Sequence, residues 1–268
     1  MSAVPAARPI TAPDFRAAKD RGTRLSVVTA YDYTSARITD ESGVDAVLVG
    51  DSLGMVVQGH PTSLPVTLDE MIYHTRCVVR GAKRALVVGD LPFLTYQVSP
   101  RQAVRSAGRL VKETGAPAVK LEGGVRMRAA IRAVVDAGIP VMGHVGLTPQ
   151  AVHQFGGFKV QRDEEQLLAD VAAVEEAGAF AVVVECVPAD IGKKLTAAVR
   201  IPTIGIGAGP HCDGQVLVFH DMMGLFADFK PKFAKRYTDA GGAMRAAVED
   251  YCREVRDGTF PAAEHSFR

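Results

Sequence analysis

Cysteine is scarce. Cys77, Cys186, Cys212 and Cys252 stand far apart in 268 residues and form no CxxC pair. That spacing excludes a disulfide framework or a cysteine-built zinc site and reads as reduced thiols in a cytosolic protein. An excess of one charge is missing too: the formal net charge is +1 and no Lys/Arg-rich run occurs. Nucleic acid and anionic membrane surfaces are therefore not the expected partners. No apolar run approaches the roughly 18 residues of a spanning helix. The opening MSAVPAARPITAPDF lacks a basic stretch followed by an apolar core, so no secretory signal is read there. A soluble, cytoplasmic protein is the expectation.

What is present is ordinary globular composition, 47% hydrophobic and 23% charged, at a length that suits one α/β barrel domain over residues 1–268. Residues 1–10 are Ala/Pro-rich and expected to be poorly ordered. Thr11-Ala-Pro-Asp then caps a helix through Lys19. Leu25–Ala30 is the first strand-like run, and residues 34–42 have helical spacing. From there a module recurs: a helical pattern, a Gly suited to a left-handed C-cap, a short turn, an apolar run, and a polar residue. ESGVDAVLVGD leads to Asp51, RGAKRALVVGD to Asp90, ETGAPAVKLE to Glu122, DAGIPVMGH to His144, and EAGAFAVVVE to Glu185. Strand and helix alternating in this way predict parallel α/β architecture. Polar residues ending successive strands favour a closed (β/α)8 TIM barrel over an open sheet with one switch point. The eighth strand is placed at Lys232–Tyr237, after a helix in 213–223, and Gly242–Val255 reads as a final amphipathic helix.

The strand ends carry the chemistry. Ala46–Gln58 opens as a buried strand and stops at Gly50-Asp51-Ser52, where the Asp also fits a simple cap. In AVKLE, Lys120 and Glu122 lie two apart and share a face, which places them inside the barrel mouth. A Lys–Glu pair plugging the barrel is the plainer reading. Asp51, Asp90 and Glu122 end three successive strands, and three such carboxylates repel unless a cation lies among them. Oxygen-only ligands point to Mg²⁺ first and Mn²⁺ second, and away from zinc. His144 fits either a core histidine or a site residue. Glu185 follows four apolar residues, a setting in which desolvation would raise its pKa and suit it to act as a general base. Cys186 is expected to face the helix layer as core. Gly205–Gly209, GIGAG, fits a phosphate-cradling loop or close backbone packing. Together these groups suit enolate formation from an α-keto acid.

Ten motifs resemble the 3-methyl-2-oxobutanoate (ketopantoate) hydroxymethyltransferase family. They are TAYDY, VGDSLGMVVQGH, LPVT, DLPF, KLEGG, GHVGLTPQ, ECVP, IGIGAG, DGQVLV and EHSF, running in order from about Thr23 onward. The resemblance implies a barrel of the phosphoenolpyruvate mutase/isocitrate lyase superfamily type and a step of pantothenate synthesis. It implies transfer of a one-carbon unit from 5,10-methylenetetrahydrofolate to 3-methyl-2-oxobutanoate. Carried over by position, Asp51, Asp90 and Glu122 match Mg²⁺ ligands, some through water. Asp51, Ser52, Asp90 and Lys120 match keto-acid contacts, His144 a residue near the substrate, and Glu185 the proton acceptor. A homo-oligomer, a decamer, is expected from the same likeness.

One departure from the family pattern is visible. Gln161 runs straight into Arg162-Asp163-Glu164-Glu165, which shortens a loop beside the mouth and bears on lid closure and folate contacts. Two other readings remain. One is a Mg²⁺-dependent C–C lyase of the same superfamily, although the position of its catalytic cysteine motif here reads Lys120-Leu-Glu-Gly-Gly without a thiol. The other is a non-catalytic ligand-binding barrel.

Overall fold

The computed structural model describes residues 8–226 and 231–267. The expected loose stretch 1–10 thus falls mostly outside the described residues. Its described end is anchored: the Ile10 N–H donates to the Arg84 carbonyl at 2.7 Å, and Arg8 pairs with Asp14.

Eight parallel strands close into a barrel in sequence order, with the eighth paired back to the first. They are β1 (Leu25–Thr29), β2 (Ala46–Val49), β3 (Leu86–Asp90), β4 (Ala118–Lys120), β5 (Val141–Gly146), β6 (Ala181–Glu185), β7 (Thr203–Ile206) and β8 (Gly214–Leu217). Period-two alternation explains how each strand is buried on both sides. Leu86 and Val88, Ala118, Met142, and Ala181 and Val183 fill the barrel interior. Val87, Val119, Val141, and Val182 and Val184 pack outward against the helices.

The first helix, α1 (Ala12–Asp20), begins in a Thr11/Asp14 capping box with Pro in its first turn. Its buried Ala12, Phe15 and Ala18 join the interior cluster, and Phe15 meets Phe180 edge-to-face at 5.8 Å. This helix closes the floor of the barrel at the N-terminal ends of the strands. Around the outside run α2 (Tyr33–Glu41), α3 (Leu53–Val56), α4 (Leu68–Gly81), α5 (Pro100–Thr114), α6 (Arg128–Asp136), α7 (Val152–Phe155), α8 (Glu164–Glu176) and α9 (Ala189–Ala198). The left-handed glycine expected after each helix occurs at Gly43, Gly115, Gly138 and Gly178. Gly81 differs. It is the last residue of α4, and a Cβ there would lie 2.9 Å from the Ala36 Cβ, so it serves the close approach of α2 and α4.

The eighth strand corrects the sequence reading: β8 is Gly214–Leu217, and residues 232–237 form no strand. No helix separates β7 from β8. The short link 207–213 is pinned by Asp213, whose carboxylate accepts from the Thr203 N–H and hydroxyl at 2.9 and 3.0 Å and pairs with Lys19 at 3.1 Å. Asp213 therefore ties the N-terminal ends of two strands and does not begin a helix.

The chain divides into two compact units, the barrel unit ending at Val218 and a second beginning at Phe219. The second contains α10 (Phe219–Met223) and α11 (Ala240–Asp257), the latter starting at Asp239 and ending at a left-handed Gly258. Among the described residues, no helix is long and apolar enough to cross a membrane.

Candidate active site

The same alternation that fills the interior carries through to the C-terminal rim. Val88 points inward, so Asp90 does; Ala118 leads to Lys120 and Glu122, Met142 to His144, and Val183 to Glu185. Asp51 arrives differently, in the turn just past β2, where its backbone N–H donates to Asp90 Oδ2 at 3.3 Å. Ser52 follows, and its hydroxyl is 2.9 Å from the Tyr31 hydroxyl.

Lys120 Nζ lies 2.6 Å from Asp90 Oδ1, and the two side chains are only 4% and 2% exposed. Burial pulls the Lys120 ammonium down, but Asp90, Glu122 and Asp51 together raise it above its ordinary value. Burial pushes Asp90 up while Lys120 pulls it back. A contact of 2.6 Å makes the ion pair the state we assign. Asp51 has no such partner. Burial first, then Asp90 and Glu122, push its carboxyl up to about 8.

His144 bridges the other acids, with Nδ1 3.5 Å from Glu122 Oε1 and Nε2 3.2 Å from Glu185 Oε2. Neither ring nitrogen makes a well-aligned hydrogen bond, so these are charge contacts. Burial and Lys120 lower the His144 ring, yet Glu122 and Glu185 outweigh them and raise it to about 9. His144 is thus an imidazolium at neutral pH. Glu185 retains 16% side-chain exposure against 3% for His144, which makes it the acid of the pair that a substrate can reach. The expected apolar pocket for Glu185 is therefore replaced by a charged partner.

Two residues escaped the sequence reading. Gln150 is buried and donates through Nε2 to Asp51 Oδ2 at 2.9 Å and to the Leu91 carbonyl at 3.0 Å. Its backbone N–H donates to Glu122 Oε2 at 3.0 Å, and its side-chain oxygen accepts from the Tyr96 hydroxyl at 2.7 Å and Gln97 Nε2 at 2.9 Å. The Tyr96 hydroxyl also accepts from the Glu122 N–H at 3.0 Å. Only the unassigned Gln at the end of GHVGLTPQ hinted at this.

Comparison with known proteins assigns the family. The profile of the family described as Ketopantoate hydroxymethyltransferase matches residues 9–263. The chain belongs to this family. A relative from Moorella thermoacetica, named 3-methyl-2-oxobutanoate hydroxymethyltransferase, is 59% identical over 97% of this chain and 98% of its own. One of the same name from Chloroflexus aurantiacus is 58% identical over 97% and 93%. Among solved structures, phosphonopyruvate hydrolase with oxalate and Mg²⁺ aligns at a TM-score of 0.63 and 15% identity, over 95% of this chain and 93% of that one. A 2,3-dimethylmalate lyase of the PEP mutase/isocitrate lyase superfamily aligns at 0.61 and 18%, over 96% and 91%. At such identities the likeness shows the shared barrel fold.

One other expectation changes with the structure, and one of the two readings left open for GIGAG gains support. Cys186 is half-buried rather than core, because its backbone turns into the left-handed region at φ 48°. Burial, and then Glu185, push its thiol up to about 12. In GIGAG, a Cβ on Gly209 would lie 2.5 Å from the Ala189 Cβ, so close packing against α9 accounts for that glycine.

The donor set fits a hard, water-rich cation and not an all-protein cage. Among the described residues, no three His, Cys, Asp or Glu side chains close around one point. Glu122 is engaged by His144 and the Gln150 N–H, Asp90 by Lys120 and the Asp51 N–H, and Asp51 by Gln150. One or two carboxylates completed by water is the usual manner of Mg²⁺.

Beside these groups opens a cavity of about 580 Å³, with Glu122 and Gln150 on its inner side and Phe93, Met127 and Phe155 among its walls. Gln161 and Asp163, in the stretch shortened relative to the family pattern, also line it.

Proposed function

We propose that this chain moves a hydroxymethyl group from 5,10-methylenetetrahydrofolate to 3-methyl-2-oxobutanoate, giving 2-dehydropantoate and tetrahydrofolate. The observation that carries the reading is the buried sequence Asp90–Lys120 and Glu122–His144–Glu185 at one rim. It sets a fixed cation beside a reachable base, which is what proton removal next to a ketone requires.

Asp51, Asp90 and Glu122 would hold Mg²⁺, which would supply positive charge at the ketone oxygen. Lys120, fixed by Asp90, contributes a second positive charge toward the keto acid, and Ser52 a hydroxyl for its carboxylate. Glu185, oriented by the His144 imidazolium, takes the C3 proton. C3 then bonds to the methylene carbon of the donor as the first of its two carbon–nitrogen bonds breaks, that nitrogen taking up the proton from Glu185. Water displaces the second nitrogen, giving it a proton and leaving the hydroxymethyl group as tetrahydrofolate departs. Gln150 holds Asp51 and Glu122 apart throughout without adding charge. The stretch Lys120–Gly124, where lyases of the superfamily would carry their cysteine motif, has no thiol, which disfavours lyase chemistry at this site. We further propose that the enzyme works in the cytoplasm as a homo-oligomer.

The test uses the keto acid and Mg²⁺ in D₂O without folate, followed by NMR. The C3 proton should exchange, and Glu185→Gln or EDTA should abolish the exchange. A wild type that binds keto acid and metal without exchanging that proton refutes the enolisation.

A further inference from the structure

The cavity beside Glu122 contains a carboxylate that the chemistry above leaves unused. Asp170 on α8 lines it and is half-buried. Its Oδ1 accepts from the Val125 N–H at 2.8 Å and from Gln166 Nε2 at 3.1 Å. Among the described residues, Oδ2 takes part in no hydrogen bond or ion pair. The seat is tight as well as polar: a Cβ on Gly124 would collide with the Asp170 carboxyl group. The glycine lets the loop that follows β4, and carries Glu122, lie directly against this side chain. Asp170, a lining residue of the cavity, is thus held in place by the backbone of the catalytic loop through one oxygen, with the other unpartnered among the described residues.

The rest of the cavity suits a flat, mostly apolar molecule. Phe93, Phe155 and Met127 are half-exposed on its walls, where they would be covered by a ring system. The volume of about 580 Å³ falls within the range of small-ligand pockets, roughly 300–1,000 Å³. Arg126, also on the lining and exposed, gives the outer part a positive charge.

We propose that this cavity seats the one-carbon donor, with Asp170 as the anchor of its amino-pyrimidinone ring. The inference rests on the function proposed above and assigns residues to its second substrate. The edge of a 2-amino-4-oxo-pyrimidine presents an amino N–H and a ring N–H side by side, and Oδ2, whose lone pairs Oδ1's two partners leave free, accepts from that edge. Phe93 and Phe155 cover the faces of the fused rings. Arg126 lies toward the anionic tail. Because Glu122 and Gln150 belong both to the cavity and to the carboxylate network, a donor lying here abuts the keto acid.

Asp170→Asn separates this role from simple support of the loop. The amide oxygen still accepts from the Val125 N–H, but the NH₂ that replaces Oδ2 opposes the donors of the ring. The expected result with the full-length enzyme, Mg²⁺ and saturating keto acid is a rise of about 10- to 100-fold in KM for 5,10-methylenetetrahydrofolate. That is the scale of one lost hydrogen bond to a charged group. Calorimetric titration with tetrahydrofolate should show a parallel loss of affinity, while donor-free exchange of the C3 proton stays within about twofold of wild type. Unchanged folate affinity and KM in the variant overturn the assignment. So does a fall in exchange matching the fall in transfer, since Asp170 would then only support the Glu122 loop. A wild type that exchanges the C3 proton but binds no tetrahydrofolate and transfers no carbon removes the folate reading itself, and the assignment with it.

Discussion

At the scale of single residues, the site is a problem in charge placement. Asp51, Asp90 and Glu122 bring three carboxylates into a buried space, against which stand one ammonium and one imidazolium. Asp51 bears the cost, its carboxyl pushed up to about 8. An acid raised in the folded state leaves stability untouched below its unfolded value, near 4, and withdraws stability as the pH climbs from there toward 8. Asp51→Asn keeps an oxygen to accept from Gln150 and removes the charge. In EDTA at pH 8.5 it should therefore be more stable than wild type, by something on the order of 1 kcal/mol, and the difference should vanish near pH 4. Thermal melts at the two pH values measure this, and added Mg²⁺ should protect only the wild type. An Asn variant that melts below wild type in EDTA would return Asp51 to a purely structural role. The charged members of this set that continue a strand were legible in the sequence because alternation ties each to an inward neighbour, as Lys120 is tied to Ala118 and Glu185 to Val183. Asp51, in the turn past β2, was legible only as the polar residue that stops an apolar run. Gln150 and Tyr96 were not. Neither ends a strand, and the importance of Gln150 comes from joining residues far apart in the chain, Asp51 above all.

At the scale of elements, six strands follow a rule that the seventh breaks. A helix separates each of β1 to β6 from its successor but none separates β7 from β8, so a reading built on that alternation skips Gly214–Leu217 and looks for the last strand later. The direct β7–β8 link holds because Asp213 satisfies Thr203 at the start of β7 and takes Lys19 from α1. Asp213→Ala should leave the Thr203 N–H unsatisfied and Lys19 without its acid, at a cost of about 1–3 kcal/mol. Urea denaturation gives that number. Since Asp213 lies at the end of the barrel away from the acids, C3 exchange per folded molecule should remain near the wild-type rate. A variant of unchanged stability would show the link to be held by packing around it.

At the scale of the whole molecule, the described residues of the barrel unit fill one of its two ends. Phe15 and its neighbours on α1 occupy the floor, so among those residues the way into the interior is the rim where the proposed donor cavity lies. That geometry has a kinetic consequence: the molecule that binds deepest enters first and departs last. Keto acid should precede folate, and tetrahydrofolate should leave before 2-dehydropantoate. In a pulse–chase experiment, labelled keto acid already on the enzyme should be carried into product when excess donor arrives with unlabelled keto acid. Labelled donor bound alone should instead wash out into the pool, and its capture as product would reveal a second entrance. A phenylalanine at the foot of the barrel, remote from every bond that changes, thus dictates the queue at the door.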